Sequence, residues 1–129
     1  IQGICMKTAI TPMISIKGDE KAIRSLITIL LDNAVKYTNE RGRIDVTLGK
    51  KKNRIYLSVF NTTEYISKEQ TSRLFDRFYR TDISRNSQTG GYGLGLSIAA
   101  ATADSHKGKI MAETEDEKSL RITVTFPGQ

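Results

Sequence analysis

The sequence has very little cysteine and histidine. In 129 residues, Cys5 is the single cysteine and His106 the single histidine. One cysteine cannot close an intrachain disulfide, and one cysteine with one histidine cannot assemble a structural zinc cluster. We therefore expect a protein of a reducing compartment, without a structural metal.

Long hydrophobic runs are also absent. A membrane helix needs about 18 consecutive apolar residues, and no stretch of this sequence comes close to that length. The N-terminus, IQGICMKTAI, lacks the features of a signal peptide. Proline occurs twice, and 38% apolar with 26% charged residues is typical of a folded chain. The length predicts one domain, residues 1–129, with one core.

The charge is unbalanced towards the basic side. Twenty Lys and Arg residues against fourteen Asp and Glu residues give a formal net charge of +6. Such a balance favours an anionic ligand or partner. At this point a nucleotide, a nucleic acid and an acidic protein all remain open.

The hydrophobic pattern predicts helices and strands in uneven groups. Three-and-four spacing predicts a helix after the N-cap Asp19, and period-two segments predict two hairpins, at residues 43–60 and 109–126. The first hairpin has a basic turn at 50–53. We also expect an irregular edge strand broken at Pro12, a short helix in 67–80, a polar loop over 81–92, and a helix that Gly93 opens and Gly108 ends.

This uneven grouping predicts an α+β fold. Winding of βαβ units is not expected. The better interpretation is a two-layer α/β sandwich, with about three helices on one face of a mixed, mostly antiparallel sheet.

One helical face combines three polar or aromatic side chains. Asn33, Lys36 and Tyr37 stand at i, i+3 and i+4 in the first helix. An amide oxygen suits Mg²⁺ and an ammonium neutralises phosphate, so the face can form a metal–phosphate site beside an aromatic wall. The alternative is a helix end that turns polar at the surface.

Glycines precede the last helix in TGGYGLGLSI. Glycine lets backbone N–H groups approach a phosphate, and a helix N-terminus adds a positive dipole end. The spacing fits neither a P-loop nor a dinucleotide fingerprint, which requires glycine where Leu96 stands. A flexible loop with a glycine cap remains the alternative.

A third segment, RLFDRFYR, has Phe75 and Phe78 three residues apart, the spacing of core aromatics. The arginines at 73, 77 and 80 lie beside the polar loop, where they can meet phosphates or hold the loop.

In order and spacing, LLDNAVKYT, RLFDRFYR and GGYGLGLSI resemble the N, F and G2 boxes of the catalytic, ATP-binding domain of sensor histidine kinases. The resemblance covers roughly residues 5 to 127. It implies the Bergerat nucleotide fold, in which ATP lies between the helices under a mobile lid, here residues 81–92.

The resemblance also implies site residues. Asn33 resembles the Mg²⁺ ligand, Lys36 a phosphate contact and Tyr37 a residue beside the nucleotide. No catalytic residue is assigned, since the nucleophile is a histidine of another domain, and we expect His106 to be structural. The further nucleotide contacts implied are Asn61, Ile66, Phe75, Arg80, Gly91, Gly93, Leu94, Gly95 and Leu96.

The implied function is a protein histidine kinase of a two-component system, with ATP and Mg²⁺ as cofactors. It transfers the γ-phosphoryl group to a histidine of a dimerisation hairpin, for relay to a response regulator. The chain then resembles a fragment without that hairpin and without a sensor. We expect a monomeric fragment of a homodimeric protein, and the cytoplasmic domain of a membrane-bound kinase.

Two positions depart from the family pattern. Asn61-Thr62-Thr63 stands where the family usually has Asp-x-Gly, and Ile29 stands where it usually has a polar residue. The alternative function is therefore a degenerate nucleotide-binding or docking module with weak or no kinase activity. Nucleic-acid binding rests only on the charged turn at residues 50–54 and is not expected.

Overall fold

The computed structural model describes residues 5–10, 20–76 and 95–127. In these ranges the strands are β1 (Cys5–Ile10), β2 (Arg43–Lys51), β3 (Arg54–Thr62), β4 (Lys109–Glu113) and β5 (Ser119–Pro127). The helices are α1 (Glu20–Tyr37), α2 (Lys68–Thr71) and α3 (Gly95–Ser105).

The strands form one sheet in the order β1-β2-β3-β5-β4. The pairs β2–β3, β3–β5 and β4–β5 are antiparallel, which confirms the predicted mostly antiparallel sheet and both hairpins. The expectation against βαβ winding is wrong at one edge, where β1 runs parallel to β2 and α1 connects them. A parallel neighbour requires such a crossover.

The core lies between one face of the sheet and the helices. Residues of β2, β3 and β5 alternate between buried and less buried positions, as period-two strands with one covered face do. This arrangement confirms the two-layer sandwich. The buried cluster includes Leu26, Leu30 and Ala34 of α1, Ala99 and Ala103 of α3, and Ile44, Leu57, Val59, Leu120, Ile122, Val124 and Phe126 of the sheet.

The first hairpin is tighter than the sequence indicates. Its strands extend to Lys51 and Arg54, so the loop is the two residues Lys52 and Asn53, with φ angles of 50° and 61°. Two positive φ angles in a two-residue loop match the strand twist of a hairpin. The observed turn is therefore two residues shorter than the predicted turn at 50–53, because Lys50 and Lys51 are still paired with β3.

Within the described residues, the second helix is shorter than the segment 67–80 predicted for it, of which residues 77–80 lie outside the described ranges. It begins after the N-cap Ser67, whose side chain accepts from Gln70 N–H while the Gln70 side chain accepts from Ser67 N–H. This capping box starts a helix that ends at Thr71. The Asp19 cap, the loop 81–92 and the start of the last helix at Gly93 lie outside the described residues.

His106 lies at the corner between α3 and β4. Its Nδ1 is 2.8 Å from the Thr102 carbonyl oxygen, and its ring meets the Phe126 ring edge-on, with centroids 6.2 Å apart. These contacts confirm the predicted structural role.

Candidate functional site

The last two turns of α1 carry the polar face predicted from the sequence. Asn33, Lys36 and Tyr37 are all half-buried. The Lys36 ammonium lies 5.4 Å from the centroid of the Tyr37 ring, a cation–π distance. The face is thus partly shielded from water and carries one amide, one cation and one ring.

The end of β3 supplies a buried amide. Asn61 is only 2% exposed, and its Nδ2 donates to the Thr62 carbonyl oxygen at 3.0 Å. This bond orients the amide so that Oδ1 remains an acceptor for a ligand N–H group. Because the group is neutral, it accepts without the negative charge that an aspartate would bring.

The residues after β3 are fixed to the loop between β4 and β5. The N–H of Thr63 donates to the Lys118 carbonyl oxygen, and the N–H of Ile66 donates to the Glu117 carbonyl oxygen, each at 2.9 Å. Thr63 and Ile66 are both buried. Within this loop, hydrogen bonds from Lys118 N–H and the Ser119 hydroxyl lower the pKa of the Asp116 carboxyl below its usual value, so the loop is stabilised by an ionised carboxylate.

A polar clamp joins the end of α1 to the end of β3. The Thr62 hydroxyl donates to Asn39 Oδ1 at 2.7 Å and accepts from the N–H of Arg43 at 2.8 Å, while Thr38 Oγ1 lies 3.5 Å from it. A Cβ on Gly42 would collide with the side-chain oxygens of Thr38, Asn39 and Thr62, so this position requires glycine. We call Thr38, Asn39 and Thr62 the clamp.

The start of α3 packs against α1 close to the polar face. An ideal Cβ on Gly95 would lie 3.6 Å from Ile29 Cγ2, one helical turn before Asn33. Ile29 therefore occupies the helix–helix contact with an apolar side chain. Leu96 and Phe75 are partly buried and pack on the core.

The structure brings many of the predicted residues to one end of the fold. Asn33, Lys36 and Tyr37 lie on α1, which the clamp ties to the strand carrying Asn61, and Gly95 approaches α1 through Ile29. Ile66 and Phe75 contribute buried or partly buried surface, as Leu96 does. The predicted contacts Arg80, Gly91, Gly93 and Leu94 lie outside the described residues.

The polar face fits a weakly held hard cation. A single amide oxygen at Asn33 is a hard ligand, and Mg²⁺ commonly keeps waters and phosphate oxygens for its other positions. Lys36 supplies a countercharge for phosphate on the same face. The residues present therefore suit a metal that is bound together with a phosphate ligand.

Sequence reasoning missed the clamp and the loop anchors. The turn at residues 39–42 is visible in the sequence, but the Asn39–Thr62 bond joins residues 23 apart. The carbonyl groups that accept from Thr63 and Ile66 belong to the backbone. Every residue type has such a group, so the sequence does not indicate these bonds. No local pattern could have found either feature.

A family model described as the histidine kinase-, DNA gyrase B-, and HSP90-like ATPase family matches residues 18–129. The chain belongs to this family. The match includes α1, the end of β3 and α3, the elements that build the site. Together with the relatives below, it confirms the resemblance to histidine kinase catalytic domains and supports ATP as the ligand of this ATPase domain.

Several curated relatives are sensor kinases. Sensor histidine kinase YkoH of Bacillus subtilis is 41% identical over 114 residues, which are 88% of this chain and 25% of that protein. Sensor protein CiaH of Streptococcus pneumoniae is 42% identical over 119 residues, 89% of this chain and 27% of that protein. The chain thus spans about a quarter of the length of these relatives.

Solved structures agree on the fold of the ATPase domain. The catalytic domain of histidine kinase ThkA superposes with a TM-score of 0.82 at 26% identity, covering 98% of this chain and 80% of that one. The mycobacterial sensor histidine kinase MprB gives a TM-score of 0.86 at 23% identity, covering 98% and 85%. No helix in the described ranges is long and apolar enough to cross a membrane.

Proposed function

We propose that this chain is the ATP-binding kinase domain of a two-component sensor, and that it transfers the γ-phosphoryl group of ATP to a histidine of another domain. The observation that carries the proposal is the polar face of Asn33, Lys36 and Tyr37, tied by the clamp to the strand that carries buried Asn61 near its end. One end of this fold can thereby bind both phosphate and base.

Each side chain has a role that follows from its chemistry. Asn33 holds Mg²⁺ through its amide oxygen, and Lys36 contacts the phosphates as a point charge. Asn61 Oδ1 accepts from the exocyclic amine of adenine, since its Nδ2 is engaged with Thr62. When bound, Mg²⁺ neutralises negative charge on the phosphate oxygens. This chain contributes position and charge, and the acceptor histidine supplies the nucleophile.

The remaining partners follow from the same proposal. Residues 1–129 form one domain of a longer kinase, with the dimerisation hairpin that carries the acceptor histidine on another part of the protein. The full-length protein is a homodimer that delivers its phosphoryl group to a response regulator. This domain is placed on the cytoplasmic side of a membrane-bound sensor.

Phosphoryl transfer in trans tests this function. The chain is incubated with γ-labelled ATP, Mg²⁺ and the dimerisation hairpin of its own full-length protein, with a His→Gln hairpin as the control. We expect acid-labile label on the wild-type hairpin alone. ATP binding without any label on the hairpin would favour the second candidate, a docking module, which buried Thr63 and apolar Ile29 support.

Lys36→Ala should weaken the binding of ATP more than the binding of adenosine, because the Lys36 ammonium is assigned to the phosphates. Loss of a charge-assisted contact of about 1.5–3 kcal/mol corresponds to roughly 10- to 100-fold in the dissociation constant of ATP. Titration of both ligands measures this difference. Equal losses for ATP and adenosine would contradict the placement of Lys36 beside the phosphates.

Thr63→Gly should tighten nucleotide binding, since it removes a buried, β-branched side chain where the family usually has glycine. Glycine also loosens the unfolded chain, so the free energy of unfolding should fall by up to ~1 kcal/mol. Calorimetric titration and thermal unfolding measure the two quantities. Unchanged or weaker binding would show that the site accommodates the threonine.

Thr62→Val should break the clamp while keeping the volume of the side chain. Asn39 Oδ1 and the N–H of Arg43 each lose a partner, so we expect a loss of about 1–3 kcal/mol in unfolding free energy and weaker ATP binding. Thr62→Ser keeps the hydroxyl and should restore both quantities. If stability falls while ATP affinity is unchanged, the clamp does not position the site.

A further inference from the structure

In the described part of the chain, six exposed cations lie close together at one end of the sheet. The β2–β3 turn and the corner between α3 and β4 meet there, since Arg54 pairs with Pro127 and Lys109 pairs with Thr125. Across the described residues 46–58, 103–111 and 123–127, Asp104 is the only acidic side chain. We call the exposed cations of this end the basic pole: Lys50, Lys51, Lys52, Arg54, Lys107 and Lys109.

The basic pole is too far from the candidate site to serve a nucleotide there. Lys50 pairs with Ile55, and Asn61 lies six residues further along β3, which is about 20 Å at roughly 3.3 Å per residue. Exposed charges are screened over about 8 Å at physiological salt. At the nucleotide end, exposed cations such as Arg43 and Lys118 alternate with the exposed acidic residues Glu64, Glu113 and Glu115. The cations of the pole therefore face a different anion.

The composition of the pole indicates what kind of anion it fits. Five of its six cations are lysines, which protein–protein interfaces contain less often than other surfaces. The large exposed apolar side chains of the described chain are Ile27, Tyr65, Ile98 and Met111, and of these Met111, two residues after Lys109 on β4, borders the pole. A protein partner would find one apolar side chain, Met111, at the edge of the pole, and single-stranded nucleic acid would find one half-buried ring, Tyr56 beside Gly49, instead of several stacking rings.

A surface of fixed phosphates needs neither anchor nor platform. Anionic lipid headgroups attract exposed lysines through charge alone, and each cation near the surface adds to the attraction. Lys52 lies in the tight two-residue turn, and Lys50 and Lys51 occupy the last two paired positions of β2, so three consecutive exposed lysines end the strand on both faces of the sheet. We propose that the basic pole docks on an anionic lipid bilayer, which turns the nucleotide site towards the opposite side.

Vesicle co-sedimentation tests the docking. The probe is a vesicle of phosphatidylcholine with phosphatidylglycerol, compared with phosphatidylcholine alone. Lys50→Gln, Lys51→Gln and Lys52→Gln are combined in one variant. The matched control combines Arg41→Gln, Lys68→Gln and Lys118→Gln, which remove the same charge from exposed positions away from the pole.

At low salt, we expect the wild-type protein to bind the anionic vesicles and not the vesicles of phosphatidylcholine alone. The pole variant should bind the anionic vesicles roughly 100-fold more weakly, and the control variant should lose at most a little affinity. Equal losses in both variants, or no binding to anionic vesicles by the wild type, would overturn the proposal. Tighter binding to duplex DNA than to vesicles of equal phosphate content would overturn it too. If the triple variant unfolds, Lys107→Gln with Lys109→Gln at the corner must show the same selective loss.

Discussion

Asn33→Ala is expected to remove the Mg²⁺ dependence of nucleotide binding while leaving the fold intact. The substitution deletes the amide oxygen assigned to the cation, and the position is half-buried on α1, outside the buried core cluster. Loss of residues that merely support a metal ligand already costs 10- to 100-fold in metal affinity, so loss of the ligand should cost roughly 100-fold. Titration with an unhydrolysable ATP analogue, with and without Mg²⁺, measures this.

Asp32→Ala is the matched control for that experiment. Asp32 is the preceding residue of α1, is exposed, and also loses side-chain oxygens when changed to alanine. Consecutive helical residues point about 100° apart, so Asp32 does not point in the direction of Asn33, and because Asp32 lies one turn before Lys36 the comparison uses the metal dependence and not the overall affinity. It should keep the metal dependence of the wild type. An Asn33→Ala protein that still binds the analogue more tightly with Mg²⁺ would contradict the assignment of the metal ligand.

Gly108→Ala should destabilise the fold strongly. A Cβ at this position would collide with the Thr125 carbonyl oxygen, and would lie 2.9 Å from Phe126 Cδ1 and 3.2 Å from the Ala103 carbonyl oxygen. Two of these neighbours are backbone atoms, which cannot rotate away. The N–H of Gly108 also donates to the Ala103 carbonyl oxygen at 2.8 Å, which fixes the corner. We expect a loss of about 3 kcal/mol in unfolding free energy.

Gly95→Ala supplies the comparison at the other end of α3. There the added Cβ makes an ordinary contact of 3.6 Å with Ile29 Cγ2, and alanine is favoured over glycine within a helix. Thermal unfolding should therefore show a fall in Tm of roughly 10 °C for Gly108→Ala and no fall for Gly95→Ala. Similar Tm values for the two variants would mean that the corner relaxes around the extra methyl group.

The sequence predicts the layers of this fold well because its elements bury one face each. Period-two alternation in residues 43–60 and 120–126 and helical spacing from residue 23 to 35 indicate the strands and α1 directly. The edge pair β1–β2 was not predicted as parallel. The direction of an edge strand depends on the crossover of the chain, which a local pattern does not contain.

The candidate site also has a part that the sequence predicts and a part that it does not. Asn33, Lys36 and Tyr37 can be predicted because helical spacing alone places them on one face. The burial of Asn61 at the end of β3 and the bond from Thr62 to Asn39 depend on pairing across the fold. The packing of Ile29 on Gly95 is likewise a contact between two helices. The sequence indicates only that residue 29 is apolar.

Calorimetric titration of the wild-type chain with an unhydrolysable ATP analogue tests the central claim most directly, since phosphate, metal and base must all bind at the same end of the fold. We predict micromolar affinity that depends on Mg²⁺. The absence of binding at millimolar nucleotide, in the presence of Mg²⁺, would contradict the proposed kinase function and leave the docking module.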